Sequence, residues 1–302
     1  MIDPQLRPIV DAVNSASDPA ADPSVDERRA AYLAFSTIAG PGPQLDHIDD
    51  RSIPGPAGDI PVRVYRNDGS AGIFVFFHGG GHTIGDLDSH DQPCRQIAVE
   101  SEATVVSVGY RLAPDAPFPA AVEDAWAAVA WADENRRDLG GGSDARIVVG
   151  GDSAGGNLAA VVALMARDAG VSLAGQALVY PGTAGDDDSA SMNDNAVGYV
   201  LTRDTIGWFA EQYAPGPSDW RANPSLAARH DRLAPALVIT AEYDPLRDQG
   251  ATYAEQLSAS GVDVTSTDYA GAVHTFFQLG PLCEIGARCV SEVAEFVRER
   301  LA

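Results

Sequence analysis

The 302-residue chain contains no lysine, and all 20 of its basic residues are arginines. Against them stand 43 aspartates and glutamates, so the formal net charge at pH 7 is −23. A surface this negative repels polyphosphates and anionic lipid headgroups, so neither nucleic acid nor stable membrane association is expected. The lack of lysine fits either a GC-rich genome or adaptation to high salt, in which hydrated carboxylates keep the surface solvated.

Long apolar runs and cysteines are also scarce. The longest apolar run, residues 158–166, is nine residues long, whereas a transmembrane helix needs about 20. The N-terminus carries Asp3, Arg7 and Asp11 where a signal peptide has a basic start and an apolar stretch, so a cytoplasmic location is expected. The three cysteines are too few and too scattered for a disulfide framework and lack metal-binding spacing, which favours buried thiols and no metal site.

The chain does contain the sequence pattern of an α/β protein. Apolar residues make up 45% and charged residues 21%, as in an ordinary globular domain. Beyond the first 50 residues, short apolar runs typical of buried parallel strands alternate with helical patterns, which predicts a mostly parallel sheet with helices on both faces. The predicted strands lie around 60–64 and at 73–77, 104–108, 146–149, 177–180, 237–240 and 262–269, and the predicted helices at 120–136, 157–168, 249–260 and 284–301.

Two segments do not fit this alternation. Residues 4–39 read as two helices, the second opened by a capping box at Ser24 and Glu27, and residues 184–228 contain a helix begun near Thr202 but no strand. Together they predict a helical cap beside the sheet. Trp208, Phe209 and Trp220 are interpreted as its core, and contact with the substrate stays open as the alternative. The predicted division is 1–50 for the N-terminal cap helices, 51–183 for the first part of the core, 184–228 for the cap insertion and 229–302 for the second part of the core.

A candidate nucleophile lies in Gly151-Asp-Ser-Ala-Gly155, which matches G-x-S-x-G. The motif follows a predicted strand and precedes a predicted helix, and on such a sharp turn the serine hydroxyl stands above the sheet. Ser153 is therefore the predicted nucleophile.

A glycine-rich loop, His78-Gly-Gly-Gly81, follows the predicted strand 73–77. Successive glycines let backbone N–H groups turn toward a developing oxyanion, and one such donor contributes about 3 kcal/mol to transition-state stabilisation. The predicted oxyanion donors are Gly80, Gly81 and Ala154, the residue after the nucleophile. The loop lacks the lysine of a P-loop and the spacing of a dinucleotide-binding motif.

A serine hydroxyl needs a base, and in this fold the chain order is serine, acid, histidine. His274 alone follows both Ser153 and the strand expected to carry the acid, since the other histidines lie at 47, 78, 82, 90 and 230. Asp244 follows that strand at once and is the favoured acid. Asp248 stays open as a rival, although an aspartate in the first turn of a helix is explained by the helix dipole alone.

These motifs resemble the hormone-sensitive lipase family of α/β-hydrolases, also called bacterial family IV esterases. The resemblance rests on His78-Gly-Gly-Gly81, Tyr110-Arg-Leu-Ala-Pro114, Gly151-Asp-Ser-Ala-Gly-Gly156, Asp244-Pro-Leu-Arg-Asp248 and His274. It implies an α/β-hydrolase fold with a helical cap, a triad of Ser153, Asp244 and His274, and oxyanion donors at Gly80, Gly81 and Ala154. His82 replaces the family's usual bulky aromatic residue and Thr275 its usual glycine, which puts the acyl preference in doubt.

The expected activity is hydrolysis of short- to medium-chain carboxylic esters through an acyl-enzyme, without metal or organic cofactor. A small-molecule ester is the expected partner, and a homodimer is possible. An amidase or deacetylase would use the same residues, and a ligand-binding relative without turnover is the alternative from another class. No residue is predicted to bind the substrate beyond the triad and the oxyanion donors.

Overall fold

The computed structural model describes residues 1–16, 22–139, 141–185, 188–216 and 218–302. Within these residues, eight strands form one sheet with the order β1-β2-β4-β3-β5-β6-β7-β8. The strands are β1 (His47–Gly55), β2 (Gly58–Arg66), β3 (Ile73–Phe77), β4 (Thr104–Val108), β5 (Ile147–Asp152), β6 (Gly175–Val179), β7 (Ala236–Tyr243) and β8 (Val264–Val273).

Helices cover both faces of this sheet. The α-helices of the described residues are α1 (Arg7–Ala16), α2 (Val25–Ser36), α3 (Asp91–Ser101), α4 (Ala120–Glu134), α5 (Ala154–Ala169), α6 (Ala190–Asp194), α7 (Arg203–Tyr213), α8 (Arg247–Ala259) and α9 (Glu284–Leu301). One apolar cluster packs α4, α5 and α8 against one face, and another packs α1, α3 and α9 against the opposite face.

The sheet is mostly parallel. Strands β4, β3, β5, β6, β7 and β8 pair in parallel, whereas β1 and β2 add an antiparallel edge. Because β3, β5, β7 and β8 are parallel, their carboxyl ends meet at one edge of the sheet, where the candidate residues follow them. The predicted fold class, an α/β fold with helices on both faces of a mostly parallel sheet, is confirmed.

Some elements differ from the prediction. Strand β8 runs on to Val273, four residues beyond its predicted end, so His274 follows the strand directly and not a loop. Strand β1 was not predicted because it is a half-exposed edge strand, HIDDRSIPG, that carries charge and a proline. Helix α3 was not predicted either.

Within the described residues, the segments 1–39 and 184–228 contain helices joined by turns. The capping box at Ser24 and Glu27 is present, and its hydrogen bonds lower the pKa of the Glu27 carboxyl. Between 184 and 228 the described residues form α6, α7 and a short 3-10 helix but no strand. The predicted division at 50/51 falls inside β1, and Asp186 and Asp187 of the acidic loop lie outside the described residues.

The structure also bears on the cysteines and on membrane-spanning helices. All three cysteines are buried and free, which confirms the prediction of buried thiols. Across the described ranges, no helix is both long and apolar enough to cross a membrane.

Candidate active site

Ser153 lies on the turn between β5 and α5. Its backbone has φ 54° and ψ −117°, a strained conformation for a residue with a side chain. The turn requires glycine on both sides, because a Cβ on Gly151 would lie 2.3 Å from the carbonyl oxygen of Phe77 and one on Gly155 only 1.9 Å from it. The tight contact with β3 thus holds the partly exposed Ser153 hydroxyl above the sheet.

His274 and Asp244 reach Ser153 from the ends of the two neighbouring strands β8 and β7. His274 Nε2 lies 2.9 Å from Ser153 Oγ, and His274 Nδ1 lies 2.6 Å from Asp244 Oδ2. The Asp244 carboxylate is fully buried and its other oxygen accepts a hydrogen bond from the Leu246 N–H at 2.8 Å. These contacts place the three side chains in a row, with the Asp244 carboxylate, the His274 imidazole and the Ser153 hydroxyl in that sequence.

The rival acid Asp248 lies elsewhere. It occupies the first turn of α8, accepts a hydrogen bond from the Ser191 N–H at 2.8 Å and pairs with Arg247. Burial raises the pKa of Asp248, but these two partners outweigh burial and lower it overall. Among the described residues no hydrogen bond or ion pair joins Asp248 to His274, so the structure brings only Asp244 to the imidazole.

The glycine loop after β3 lies beside the Ser153 turn. Gly80 has φ 116° and Gly81 φ 59°, a range that favours glycine, and a Cβ on Gly80 would lie 2.2 Å from the Ile84 carbonyl oxygen. In the described part of the chain, the N–H groups of Gly80, Gly81 and Ala154 donate to no protein acceptor. Ala154 opens α5, so its N–H is one of the free donors of a helix N-terminus.

A histidine and a tyrosine connect this loop to helix α7. The His82 ring stacks on the Tyr213 ring with centroids 4.0 Å apart, and the Phe118 ring meets Tyr213 edge-on. Burial lowers the pKa of His82 to about 3, so its imidazole is neutral at pH 7. His82 therefore packs as an aromatic ring, as the larger residue usual in the family would.

Of the three aromatic residues interpreted as cap core, Phe209 packs against a small apolar cluster that includes residues of the 184–228 segment, as predicted, whereas Trp220 does not. The Phe209 ring covers Gly81, since a Cβ on that glycine would lie 2.2 Å from Phe209 Cγ. Trp208 meets Phe209 edge-on and carries the Arg28 guanidinium of α2 over its ring at 4.3 Å. Trp220 packs instead against the apolar cluster of the main sheet. Phe209 is thus the aromatic side chain of this set that reaches the glycine loop.

Other contacts of the site have no counterpart in the sequence motifs. The Tyr180 ring lies 4.6 Å from the His274 ring, and the Asp152 carboxylate accepts a hydrogen bond from the Gly79 N–H at 2.8 Å. Asp152 occupies the variable position of G-x-S-x-G, and no spacing rule pairs that position with the glycine loop. Across the described residues no group of three metal-binding side chains is found.

Comparison with known proteins identifies the family. A family model described as the alpha/beta hydrolase fold matches residues 74–278. The chain belongs to the α/β-hydrolase fold family. The resemblance to the hormone-sensitive lipase group, whose motifs lie within the matched residues, is confirmed by α/β-hydrolase relatives that bear esterase names.

Two curated relatives and one solved structure illustrate the match. "Carboxylic ester hydrolase LipN" of Mycobacterium tuberculosis is 44% identical over 285 residues, which cover 90% of this chain and 76% of LipN. "Ethyl acetate hydrolase" of Pseudomonas putida is 37% identical, with 91% of this chain and 90% of that protein covered. The structure of a hyperthermophilic esterase from Pyrobaculum calidifontis superposes on this α/β-hydrolase with a TM-score of 0.93 at 40% identity, covering 99% and 98% of the two chains.

Proposed function

We propose that this α/β-hydrolase is a carboxylic ester hydrolase in which Ser153, His274 and Asp244 form the catalytic triad. The observation that carries the proposal is the continuous contact from Asp244 Oδ2 to His274 Nδ1 at 2.6 Å and from His274 Nε2 to Ser153 Oγ at 2.9 Å. The distance from His274 to Ser153 suits proton transfer between them, and the distance from Asp244 to His274 suits a hydrogen bond that orients the imidazole. The names of the two curated relatives support ester bonds as the target.

In the proposed acylation step, His274 Nε2 takes the hydroxyl proton as Ser153 Oγ attacks the ester carbonyl carbon. The C–O bond to the alcohol then breaks, and the alcohol leaves with the proton held by His274. In deacylation, His274 removes a proton from water as the water oxygen attacks the acyl carbon. The bond between the acyl carbon and Ser153 Oγ then breaks, Ser153 Oγ takes the proton from His274, and the carboxylic acid leaves. Asp244 holds the Nδ1–H tautomer and stabilises the imidazolium in both steps.

The negative charge of each tetrahedral intermediate is assigned to the N–H groups of Gly80, Gly81 and Ala154. The absence of a protein acceptor for these three donors, within the residues described, leaves them available to an oxyanion. Two of them lie on the glycine loop, whose Gly79 N–H donates to Asp152 next to Ser153, and the third is the first residue of α5, directly after Ser153. A fixed donor that meets charge only as it develops contributes to the rate of the chemical step.

Short- to medium-chain acyl groups are the proposed substrates. Segments 1–50 and 184–228 act in this proposal as the cap, and Phe209 of the second segment lies directly over Gly81. An aromatic ring above a proposed oxyanion donor limits the depth of the acyl pocket. A pocket of bounded depth gains about 0.8 kcal/mol per buried methylene until it is filled and gains nothing beyond that length.

The test is hydrolysis of a series of chromogenic esters from acetyl to palmitoyl by the wild type and by Ser153→Ala. We expect the highest kcat/KM at two to eight carbons, no turnover by folded Ser153→Ala, and labelling of the wild type alone by an organophosphate. Turnover by Ser153→Ala would contradict the triad. A maximum at 12 carbons or more would contradict the acyl preference.

Amide substrates of the same acyl length, assayed in parallel, separate an esterase from an amidase or deacetylase. Binding of esters by the wild type without any turnover would instead indicate a ligand-binding relative. A cytoplasmic location, a homodimer and the division into cap and core segments stay predictions.

A further inference from the structure

Besides Asp244 and His274, the described residues contain another buried aspartate–histidine pair, Asp152 and His90. Asp152 Oδ1 lies 3.0 Å from His90 Nε2, and the two side chains are 1% and 0% exposed. The proposed reaction steps use neither residue. A carboxylate buried this deeply is unfavourable unless it is paired and hydrogen-bonded, so its partners indicate what it does.

The partners of Asp152 lie on the glycine loop and beneath His274. The Gly79 N–H donates to Asp152 Oδ1 at 2.8 Å, and the Tyr180 hydroxyl donates to Oδ2 at 3.3 Å. Burial alone raises the pKa of Asp152, but His90 above all, with His274 and the Gly79 N–H, lowers it below its ordinary value. The side chain is therefore a carboxylate at neutral pH, and its bond to Gly79 is charge-assisted.

Gly79 directly precedes the proposed oxyanion donors and is held from both sides. Its carbonyl oxygen lies 2.8 Å from His78 Nδ1, and the Tyr110 hydroxyl donates to the His78 carbonyl oxygen at 2.7 Å. A Cβ at Gly79 would lie 2.5 Å from Asp152 Oδ2, so the carboxylate lies directly against this backbone. Asp152 thereby connects the Ser153 turn to the loop of Gly80.

His90 connects Asp152 to two further segments. Its Nδ1 lies 2.9 Å from Ser89 Oγ, and its Nε2 contacts the side-chain amide of Gln278. Gln278 belongs to the 3-10 helix Phe276–Leu282 that follows His274, and its amide donates to the Tyr32 hydroxyl of α2 at 2.8 Å. The position of the His90 ring is thus fixed by the His274 segment and by the N-terminal helices.

We propose that the Asp152–His90 pair positions the oxyanion loop against the nucleophile, so that the N–H groups of Gly80 and Gly81 point to the same place as that of Ala154. A loop of three glycines has wide conformational freedom, and a charged hydrogen bond on Gly79 removes much of it. Both members are positioning residues that act through Gly79. This inference rests on the proposed ester hydrolysis.

The experiment measures kcat and KM of the wild type, Asp152→Asn, Asp152→Ala, His90→Gln and His90→Phe on one short-chain ester. We expect kcat to fall about tenfold in Asp152→Asn, which keeps a neutral acceptor, and about a hundredfold in Asp152→Ala, with KM unchanged. His90→Gln keeps an N–H donor and should stay within about threefold of wild type, whereas His90→Phe should lose about tenfold. If Asp152→Ala does not fold, the other three variants carry the comparison.

A second readout distinguishes positioning from a merely structural role. A trifluoromethyl ketone binds serine hydrolases as an adduct with a negatively charged oxygen, so its affinity reports the oxyanion site. We expect its affinity to fall in each variant in proportion to kcat/KM. The matched control is Asp124→Asn, because Asp124 is equally buried, pairs with Arg111 and accepts the Arg111 N–H at 2.9 Å. The Asp124→Asn variant should be less stable than the wild type but keep the wild-type kcat and the wild-type affinity for the ketone.

Three results would overturn the proposal. One is an unchanged kcat in folded Asp152→Asn and His90→Phe. Another is a fall in kcat while the affinity for the ketone is unchanged. A fall in kcat together with a shift in the acid limb of the pH profile of kcat/KM counts in the same way, because it would indicate that the pair acts on His274. The third is an equal loss of kcat in Asp124→Asn. A wild type that hydrolyses no ester would overturn the proposed function itself, which is a different outcome from any of these.

Discussion

At the scale of single residues, two carboxylates four positions apart have different environments. Asp244 is fully buried and contacts the His274 imidazole, whereas Asp248 faces Arg247 and the Ser191 N–H. Both belong to the motif Asp244-Pro-Leu-Arg-Asp248, so residue type does not distinguish them. The difference arises because Asp244 precedes α8 and Asp248 lies within it.

Replacing each of these aspartates tests the assignment of the acid. Asp244→Asn should lower kcat on the order of a thousandfold, because an amide cannot stabilise the imidazolium and favours the wrong tautomer. Asp248→Asn should change kcat less than about threefold and reduce stability, since it weakens a partly exposed ion pair. Steady-state kinetics of both variants measures the loss of kcat, and circular dichroism checks that each variant is folded. A larger loss of kcat in folded Asp248→Asn would contradict the assignment.

The backbone conformation of Thr275 predicts an effect of its replacement on stability. It has φ 74°, an unfavourable value for a β-branched residue, and none of the described residues hydrogen-bonds its buried Oγ1. Thr275→Gly should therefore raise the free energy of unfolding by about 1 kcal/mol. Thr265→Gly, in the regular part of β8, is the control and should lower it by a similar amount. Urea denaturation measures both, and a loss of stability in Thr275→Gly would contradict the inference of strain.

At the scale of elements, helix α7 is the part of the 184–228 segment that meets the glycine loop. It contacts the loop through Phe209 on Gly81 and through Tyr213 on His82. The neighbouring Trp208 faces Arg28 of α2 instead. The helix thus presents one aromatic ring to the proposed acyl pocket and another to the N-terminal helices.

Truncation of these two neighbours tests the role of α7 in substrate choice. Phe209→Ala should move the preferred acyl chain to greater length, because the vacated space admits further methylenes at about fourfold in kcat/KM each. Trp208→Ala is the matched control and should keep the wild-type chain-length profile. The acyl ester series measures both. An unchanged optimum in Phe209→Ala, or the same shift in Trp208→Ala, would contradict a pocket limited by Phe209.

At the scale of the whole molecule, the net charge of −23 is spread over a surface that also contains many arginine–aspartate pairs. Exposed pairs of this kind contribute little each, and the 43 acidic residues outnumber the 20 arginines. At low ionic strength the excess negative charge repels itself and opposes compaction.

Salt should therefore stabilise the fold. The Debye length falls from about 10 Å at 0.1 M to about 3 Å at 1 M, which screens the repulsion between carboxylates. We expect Tm to rise by at least about 2 °C over that range of sodium chloride, equivalent to a little over ~1 kcal/mol for a chain of this size. Thermal unfolding followed by circular dichroism measures it. A flat or falling Tm would show that the charge does not act on the stability of the fold.

The sequence alone determined the parallel sheet, the serine on its strand-to-helix turn, and which histidine contacts that serine. Each follows from local patterns or from chain order: β3 is a continuous apolar run, β4 carries three valines among its five residues, glycines flank Ser153, and His274 is the last histidine. Edge strand β1 was missed because a charged, half-exposed strand has no such pattern.

Only the tertiary structure decided which side chains meet. Asp152 and Gly79 are 73 residues apart, and His90 and Gln278 are 188 apart, yet both pairs are in contact because β3, β5 and β8 end at one edge of the sheet. Likewise, the packing of α7 on the loop placed Phe209 on Gly81 and left Trp220 on the main core. Periodicity reports which face of an element is buried, but not which partner that face receives.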